Sequence, residues 1–383
     1  MPVNFEYLRL SELRGLSATV AWAESELRGS GEGKLTYFFS GRDATTNTRD
    51  LPYFQVPNGS SPKARFCCYP DNPMHAASAA RLRTELCGTT LATPIIAASG
   101  TFAYGVEMDG LVDWPWVGAL VVKGLSREPM DGNRPPRVWE ATAGMINSIG
   151  LQNIGVRAFV AEKLPPLSKI KVPVIANVFG YAIEDYQEVV RVLEDAEGIA
   201  AYELNVSCPN TKHGGIFFSA DPALLSDLLS KILPLIRSGR PAIVKLSPNV
   251  ARIEPVAKAA EAAGAQAISL VNTFVSLAID ARARRPRLGA GFGGLSGPAI
   301  KPIALRLVWE ASRAVKIPVL GLGGIATGED AAEFLVAGAS AVEVGTASFW
   351  DPSSIGRIAH ELDRFLAEEH IARAADLVGT LKL

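Results

Sequence analysis

The chain has 383 residues, 48% of them hydrophobic, with a formal net charge of -1: ample material for a large core, and no overall charge that would draw it to nucleic acid or an anionic membrane. No apolar run approaches the ~20 residues of a membrane span, and residues 1–7 lack a basic region followed by an apolar one, so neither a membrane segment nor a signal peptide is expected. Cys67, Cys68, Cys87 and Cys208 form no Cys-x-x-Cys pair, which argues against a zinc ribbon, an iron–sulfur cluster or a disulfide framework and makes a reducing cytoplasm the simplest compartment.

Residues 1–85 carry the least pattern. Gly29-Ser-Gly-Glu-Gly33 reads as a flexible loop, and residues 50–72 are rich in Pro, Asn, Gly and Ser. This stretch is expected to be a weakly ordered N-terminal extension. From residue 86 to 383 the text changes to short apolar runs alternating with helical segments. The runs are residues 93–98, 118–122, 172–177, 201–205, 241–246, 267–271, 317–322 and 340–344. Nearly continuous apolar runs are the pattern of parallel strands buried on both faces. Helical spacing is read at 186–195, 222–236, 253–263, 300–315 and 328–337. Eight such units predict an α/β fold, a (β/α)8 TIM barrel. Two longer interruptions are residues 134–153, expected to form a hairpin over the mouth, and residues 281–297, which lengthen the sixth loop.

In such barrels the C-terminal strand ends converge on one pocket. Here they supply Ser99, Lys123, Asn177, Asn205, Lys245, Asn272 and Thr273, followed by glycine turns at Gly297, Gly323-Gly324 and Gly345-Thr346. Glycine turns after the seventh and eighth strands let backbone N–H groups close around a phosphate. Lysines and amides around such a site suit a planar, hydrogen-bonding, anionic partner, and FMN fits. Lys245 would stabilise the reduced ring at its N1–O2 edge. The fourth strand runs into Ser207-Cys-Pro-Asn-Thr-Lys-His213, a polar loop whose one thiol, Cys208, is the candidate catalytic group. No metal set is expected. A non-redox phosphate-binding barrel, an aldolase or isomerase using Lys245 as a Schiff base, fits the amide-rich pocket less well.

Six stretches carry a resemblance: Asn147-Ser-Ile-Gly-Leu-Gln-Asn153, Asn205-Val-Ser-Cys-Pro-Asn-Thr-Lys212, Val244-Lys-Leu-Ser-Pro-Asn249, Val271-Asn-Thr-Phe274, Gly294-Leu-Ser-Gly-Pro-Ala-Ile-Lys-Pro302 and Gly321-Leu-Gly-Gly-Ile325. With them, residues 86–360 resemble the dihydroorotate dehydrogenases, the flavin enzymes of pyrimidine biosynthesis. The resemblance implies oxidation of dihydroorotate to orotate, with a proton taken from C5 by Cys208 and a hydride passed from C6 to FMN. It implies substrate contacts from Lys123, Asn147, Ser148, Ile149, Gly150, Leu151, Asn205, Asn272 and Thr273. FMN contacts would come from Ser99, Lys123, Gly124, Asn177, Asn205, Lys245, Val271, Gly297, Gly323, Gly324, Gly345 and Thr346. Cys208 looks like class 1, and Ala278-Ile-Asp280 with Arg284-Arg-Pro-Arg-Leu-Gly289 looks like class 1B. That class delivers electrons to NAD+ through a separate subunit with FAD and a 2Fe–2S cluster, which implies a homodimer core or a heterotetramer. A fumarate-linked class 1A enzyme and a related flavin-dependent pyrimidine oxidoreductase are the alternatives. The long N-terminal extension departs from the soluble classes.

Overall fold

The computed structural model describes residues 74–207, 209–210 and 216–382, without the side chains of 209–210 and 216–217. Eight parallel strands close a barrel in chain order: β1 (Ile95–Ala97), β2 (Ala119–Val121), β3 (Val174–Val178), β4 (Ala201–Asn205), β5 (Ala242–Lys245), β6 (Ala267–Leu270), β7 (Val319–Leu322) and β8 (Ala341–Val344). These are the eight runs expected, with ends that differ from expectation by at most two residues. Almost every residue in them is buried, because one face packs on helices and the other fills the barrel. Closure is completed where Val344 of β8 pairs with Ala97 of β1.

The five expected helices form at Ile183–Glu194, Pro222–Ile232, Glu254–Ala262, Lys301–Ala314 and Gly328–Val336, followed by a long last helix at Ser354–Glu368. Local chemistry moves their ends. Asp185 accepts from the N–H groups of Tyr181 and Ala182, so the first begins three residues earlier than its apolar spacing suggests. The second stops at Ile232 and continues as a 3-10 turn, Leu233–Leu235, because Pro234 has no N–H to give.

Inside the barrel, residues two apart on one strand face the same way. The N-terminal ends of the strands fill the interior with Ile175, Ala201, Ile243, Ala267, Leu320 and Ala341. A hairpin, Thr84–Leu86 with Thr89–Leu91, adds Leu86 and Leu91 to that cluster and closes the bottom. Helix Ala76–Leu82 precedes it. It buries Leu82 and ties to the last helix through Ser78 and Arg81, both of which donate to Asp363, at 2.8 and 2.5 Å. The helix and the start of the first hairpin strand fall within the stretch 1–85, whose residues 1–73 lie outside the described residues.

Beyond the other end lies a four-stranded antiparallel sheet in the order Phe274–Leu277, Phe292–Ser296, Gly144–Asn147, Val138–Ala141. The last two are the hairpin expected within 134–153. The first two flank the long sixth loop and join that hairpin by pairing Asn147 with Gly294.

Candidate active site

The polar strand ends do converge. Along β4, Ala201 lies at the bottom, Glu203 two residues up and Asn205 at the C-terminal end. Register sets Asn177 of β3 beside Glu203, and Lys245 of β5 beside both Asn205 of β4 and Ser269 of β6. The result is a buried polar layer above the apolar bottom. Glu203 is fully buried; Asn177 Nδ2 donates to its Oε1 at 2.5 Å, and Ser269 Oγ donates to its Oε2 at 2.8 Å. Lys245 Nζ lies 3.3 Å from Glu203 Oε1 and 3.5 Å from Glu343 Oε2, the latter reaching in from β8.

Three buried ionisable groups shift one another. Burial opposes the charge of Lys245, yet the charges of Glu203 and Glu343 outweigh it and hold its ammonium above the ordinary lysine range. Burial also opposes the charge of Glu203, but Lys245 and the hydrogen bonds around it keep that carboxyl below its ordinary range. Glu343 goes the other way: burial first, and the neighbouring Glu203 charge second, push it well above the carboxylate range.

At the rim, Asn272 Nδ2 donates to Asn205 Oδ1 at 3.3 Å, and Tyr186 Oη donates to the Asn205 carbonyl at 2.7 Å. Thr273 joins the barrel to the sheet above. A methyl at Gly294 would lie 2.0 Å from Thr273 Oγ1, so only glycine lets the sheet settle there. Asn147 Nδ2 donates to the same Gly294 at its carbonyl, 3.4 Å away. Asn147, Thr273 and Asn272 therefore meet. Ser148, Ile149, Gly150 and Leu151 follow Asn147 as a half-buried loop. Asn133 pins it, donating from its backbone N–H to the Ile149 carbonyl and from its side chain to the Ser148 carbonyl, both at 2.9 Å. Asn153 Nδ2 holds the Leu151 carbonyl at 2.9 Å.

Ser99 donates to the Val122 carbonyl at 2.8 Å, and the Lys123 N–H donates to Ala103, which fixes the ends of β1 and β2 side by side. Gly124 lies against the Asn177 amide; a methyl there would sit 3.0 Å from Asn177 Oδ1, a buried oxygen with no hydrogen-bond donor among the described residues. On the opposite side the glycine turns come together. Gly324 has φ +80°, and a methyl on it would press to 2.8 Å from the Gly297 carbonyl and 3.0 Å from the Lys301 N–H, at the start of a 14-residue helix. Thr346 Oγ1 donates to Ser296 Oγ at 2.8 Å, which brings the β8 turn, Gly345-Thr346, to Gly297. Val271 N–H reaches the Leu322 carbonyl at 3.1 Å, next to Gly323. Cys208, with Lys212 and His213, lies outside the described residues.

Glu203, Ser269 and Glu343 were not among the expected site residues, nor was Asn249, whose Nδ2 donates to the Thr273 carbonyl at 3.0 Å. Their signal was present: a carboxylate inside the apolar text Ala201-Tyr-Glu-Leu and again in Ala341-Val-Glu-Val is misplaced unless partners wait across the barrel.

Residues 81–366 match the family model described as dihydroorotate dehydrogenase. A relative from Solibacter usitatus, "Putative dihydroorotate dehydrogenase A (fumarate)", is 68% identical over 302 residues, covering 79% of this chain and 99% of that protein. One from Geobacter sulfurreducens, "Dihydroorotate dehydrogenase B (NAD(+)), catalytic subunit", is 50% identical over 302 residues, covering 79% of this chain and 98% of that protein. A protein of the same description from Geobacter sp. strain M21 is 48% identical, with the same coverage.

Proposed function

The chain belongs to the dihydroorotate dehydrogenase family, a family of FMN-dependent oxidoreductases, and on that premise we propose that it holds FMN at the barrel mouth and oxidises dihydroorotate to orotate with Cys208 as base. The observation that carries this reading is the meeting of two unlike halves at one mouth. One half is a glycine cradle at Gly297, Gly323, Gly324 and Gly345-Thr346. The other is a polar layer with Lys245 and the donor-less Asn177 Oδ1. The cradle suits a phosphate, and the polar half suits the hydrogen-bonding edge of a flavin ring. Ser99, Lys123, Gly124, Asn205 and Val271 would complete the FMN contacts.

When bound, FMN supplies the acceptor for the hydride leaving C6. The chain supplies the rest. Asn272 donates to Asn205, the Thr273 N–H donates to Asn272 Oδ1, and Asn147 holds the Gly294 carbonyl beside Thr273; these groups would orient the dihydropyrimidine ring, with Ser148 to Leu151 completing the wall. Lys123 would meet the substrate carboxylate. Cys208 as thiolate would remove the C5 proton, favoured by any neighbour that stabilises the anion.

For the electrons we propose NAD+ as acceptor, through a separate subunit carrying FAD and a 2Fe–2S cluster, with the catalytic chains as a homodimer or within a heterotetramer in the cytoplasm. The relatives described as NAD(+)-linked catalytic subunits support it. The Solibacter relative supports a second reading, direct reduction of fumarate.

One anaerobic experiment tests each part. Dihydroorotate added to the purified chain should bleach a flavin absorbance band; absence of any flavin sinks the cofactor reading. Re-oxidation by fumarate alone would select the second acceptor, and rapid re-oxidation by NAD+ alone would exclude the partner subunit. Cys208→Ala should abolish turnover near neutral pH with FMN retained, and Cys208→Ser should keep a residue of activity that rises with pH, since a hydroxyl is a far weaker acid than a thiol. Full turnover in Cys208→Ala would remove it as base.

A further inference from the structure

Glu343 is the carboxylate of the polar layer that the hydrogen bonds leave over. It is 1% exposed, and neither carboxyl oxygen has a hydrogen-bond donor among the described residues. Among the described residues its one ion-pair partner is Lys245, 3.5 Å away and shared with Glu203. Two carboxylates that share one ammonium in a dry interior cannot both keep their charge. The hydrogen bonds say which one does. Glu203 takes Asn177 Nδ2, Ser269 Oγ and Lys245 Nζ, three donors that favour its anion. Glu343 has none, and as an acid it becomes a donor itself.

We propose that Glu343 is a positioning residue of the redox site: it keeps its proton, donates it in a hydrogen bond to Glu203, and so leaves Lys245 and Glu203 as one cation against one anion beneath the mouth. The opposite shifts of the two carboxyls, Glu343 up and Glu203 down, agree with this arrangement. Among the described residues the charged groups acting on Glu343 are Glu203 and Lys245, and Ser269 and Asn177 complete the layer. Ionised, Glu343 would make the layer net negative directly under Lys245. That would work against a reduced, anionic flavin more than against an oxidised, neutral one. The Glu343 proton therefore sets how strongly the site favours reduction. This part rests on the mouth holding FMN.

Infrared spectroscopy tests the proton independently of any cofactor. At neutral pH the wild-type chain should show a buried protonated-carboxyl band that is missing in Glu343→Gln. Glu203→Gln should lose the same band although Glu343 remains, because Glu343 then becomes the counter-ion of Lys245 and ionises. A band that survives in Glu343→Gln would overturn the assignment. The second readout is the FMN midpoint potential against pH, with the affinities of oxidised and reduced FMN. In the wild type, the preference for reduced FMN should fall by about tenfold as Glu343 ionises on the alkaline side, the effect of one added charge at partly buried separations. Glu343→Gln, neutral throughout, should lack that fall. Parallel pH slopes in the two proteins would show that the proton has no hold on the potential. A wild-type chain that retains no flavin would sink the reading of the mouth and the redox role with it, while the infrared result would still decide where the proton is.

Discussion

The lower and upper halves of the barrel interior are built from the same strands, two residues apart, with opposite chemistry. Ala201 gives way to Glu203, Ile243 to Lys245, Ala267 to Ser269 and Ala341 to Glu343. The lower positions join the cluster plugged by Leu86 and Leu91; the upper ones form the charged layer. Backbone and register are common to both halves, so the difference is one of solvent substitution. The lower half gains from removing apolar area from water. The upper half must find a partner for each polar atom it buries, and at Asn177 Oδ1 and Glu343 no hydrogen-bond partner is found among the described residues.

Four changes should break or sharpen this contrast. Lys245→Met strips Glu203 of the cation it pairs with and should cost about 3–5 kcal/mol in chemical denaturation, the range for a buried pair cut in half; adding Glu203→Gln should recover part of it. A single variant as stable as the wild type would mean that the layer is held by its hydrogen bonds alone. Leu91→Ala, below, should cost about 2–4 kcal/mol as a core cavity does, with FMN content and the KM for dihydroorotate unchanged; altered flavin binding there would show that the halves are coupled. Gly324→Ala meets both a left-handed backbone and the Gly297 carbonyl, and should cost roughly 1–3 kcal/mol while the purified protein loses flavin. Retained flavin would move the phosphate elsewhere.

The smallest effect is in pH. Glu203 is lowered in the folded chain, so its contribution is present above the unfolded carboxylate range and is lost as pH falls through its folded value. Glu343 is raised, so its contribution is complete below the unfolded range and is lost as pH climbs toward its folded value. Glu343→Gln removes only the second loss. Its Tm should gain a few degrees on the wild type between mildly acid and neutral pH, whereas the Leu91→Ala deficit should stay level. A flat difference for Glu343→Gln would mean that this side chain does not titrate there.

The eight barrel strands were legible because burial on both faces writes them as unbroken apolar runs. The bottom hairpin was not. Its strands are three residues long, and its turn puts Cys87 and Gly88 both at positive φ, a tight-turn geometry that a cysteine does not advertise. The hairpin at Val138–Ala141 and Gly144–Asn147 could be read from its place between strands. Its partner strands, Phe292–Ser296 and Phe274–Leu277, come from the far side of the chain, and pairs such as Asn147 with Gly294 are invisible locally. The rim residues were legible as strand-end polar types. The Glu203–Lys245–Glu343 layer was legible only as misplaced charge, since what neutralises it appears only when β8 closes on β1.

The hairpin under the barrel has one more effect. With Leu86 and Leu91 seated among the strand roots, the described residues close the interior at that end and leave the C-terminal strand ends as its doorway. On that geometry, whatever reaches Lys245 enters and leaves by the C-terminal strand ends. If dihydroorotate binds there, orotate must clear the threshold before the next molecule comes in, and an electron acceptor must either queue at that doorway or draw its electrons through the wall.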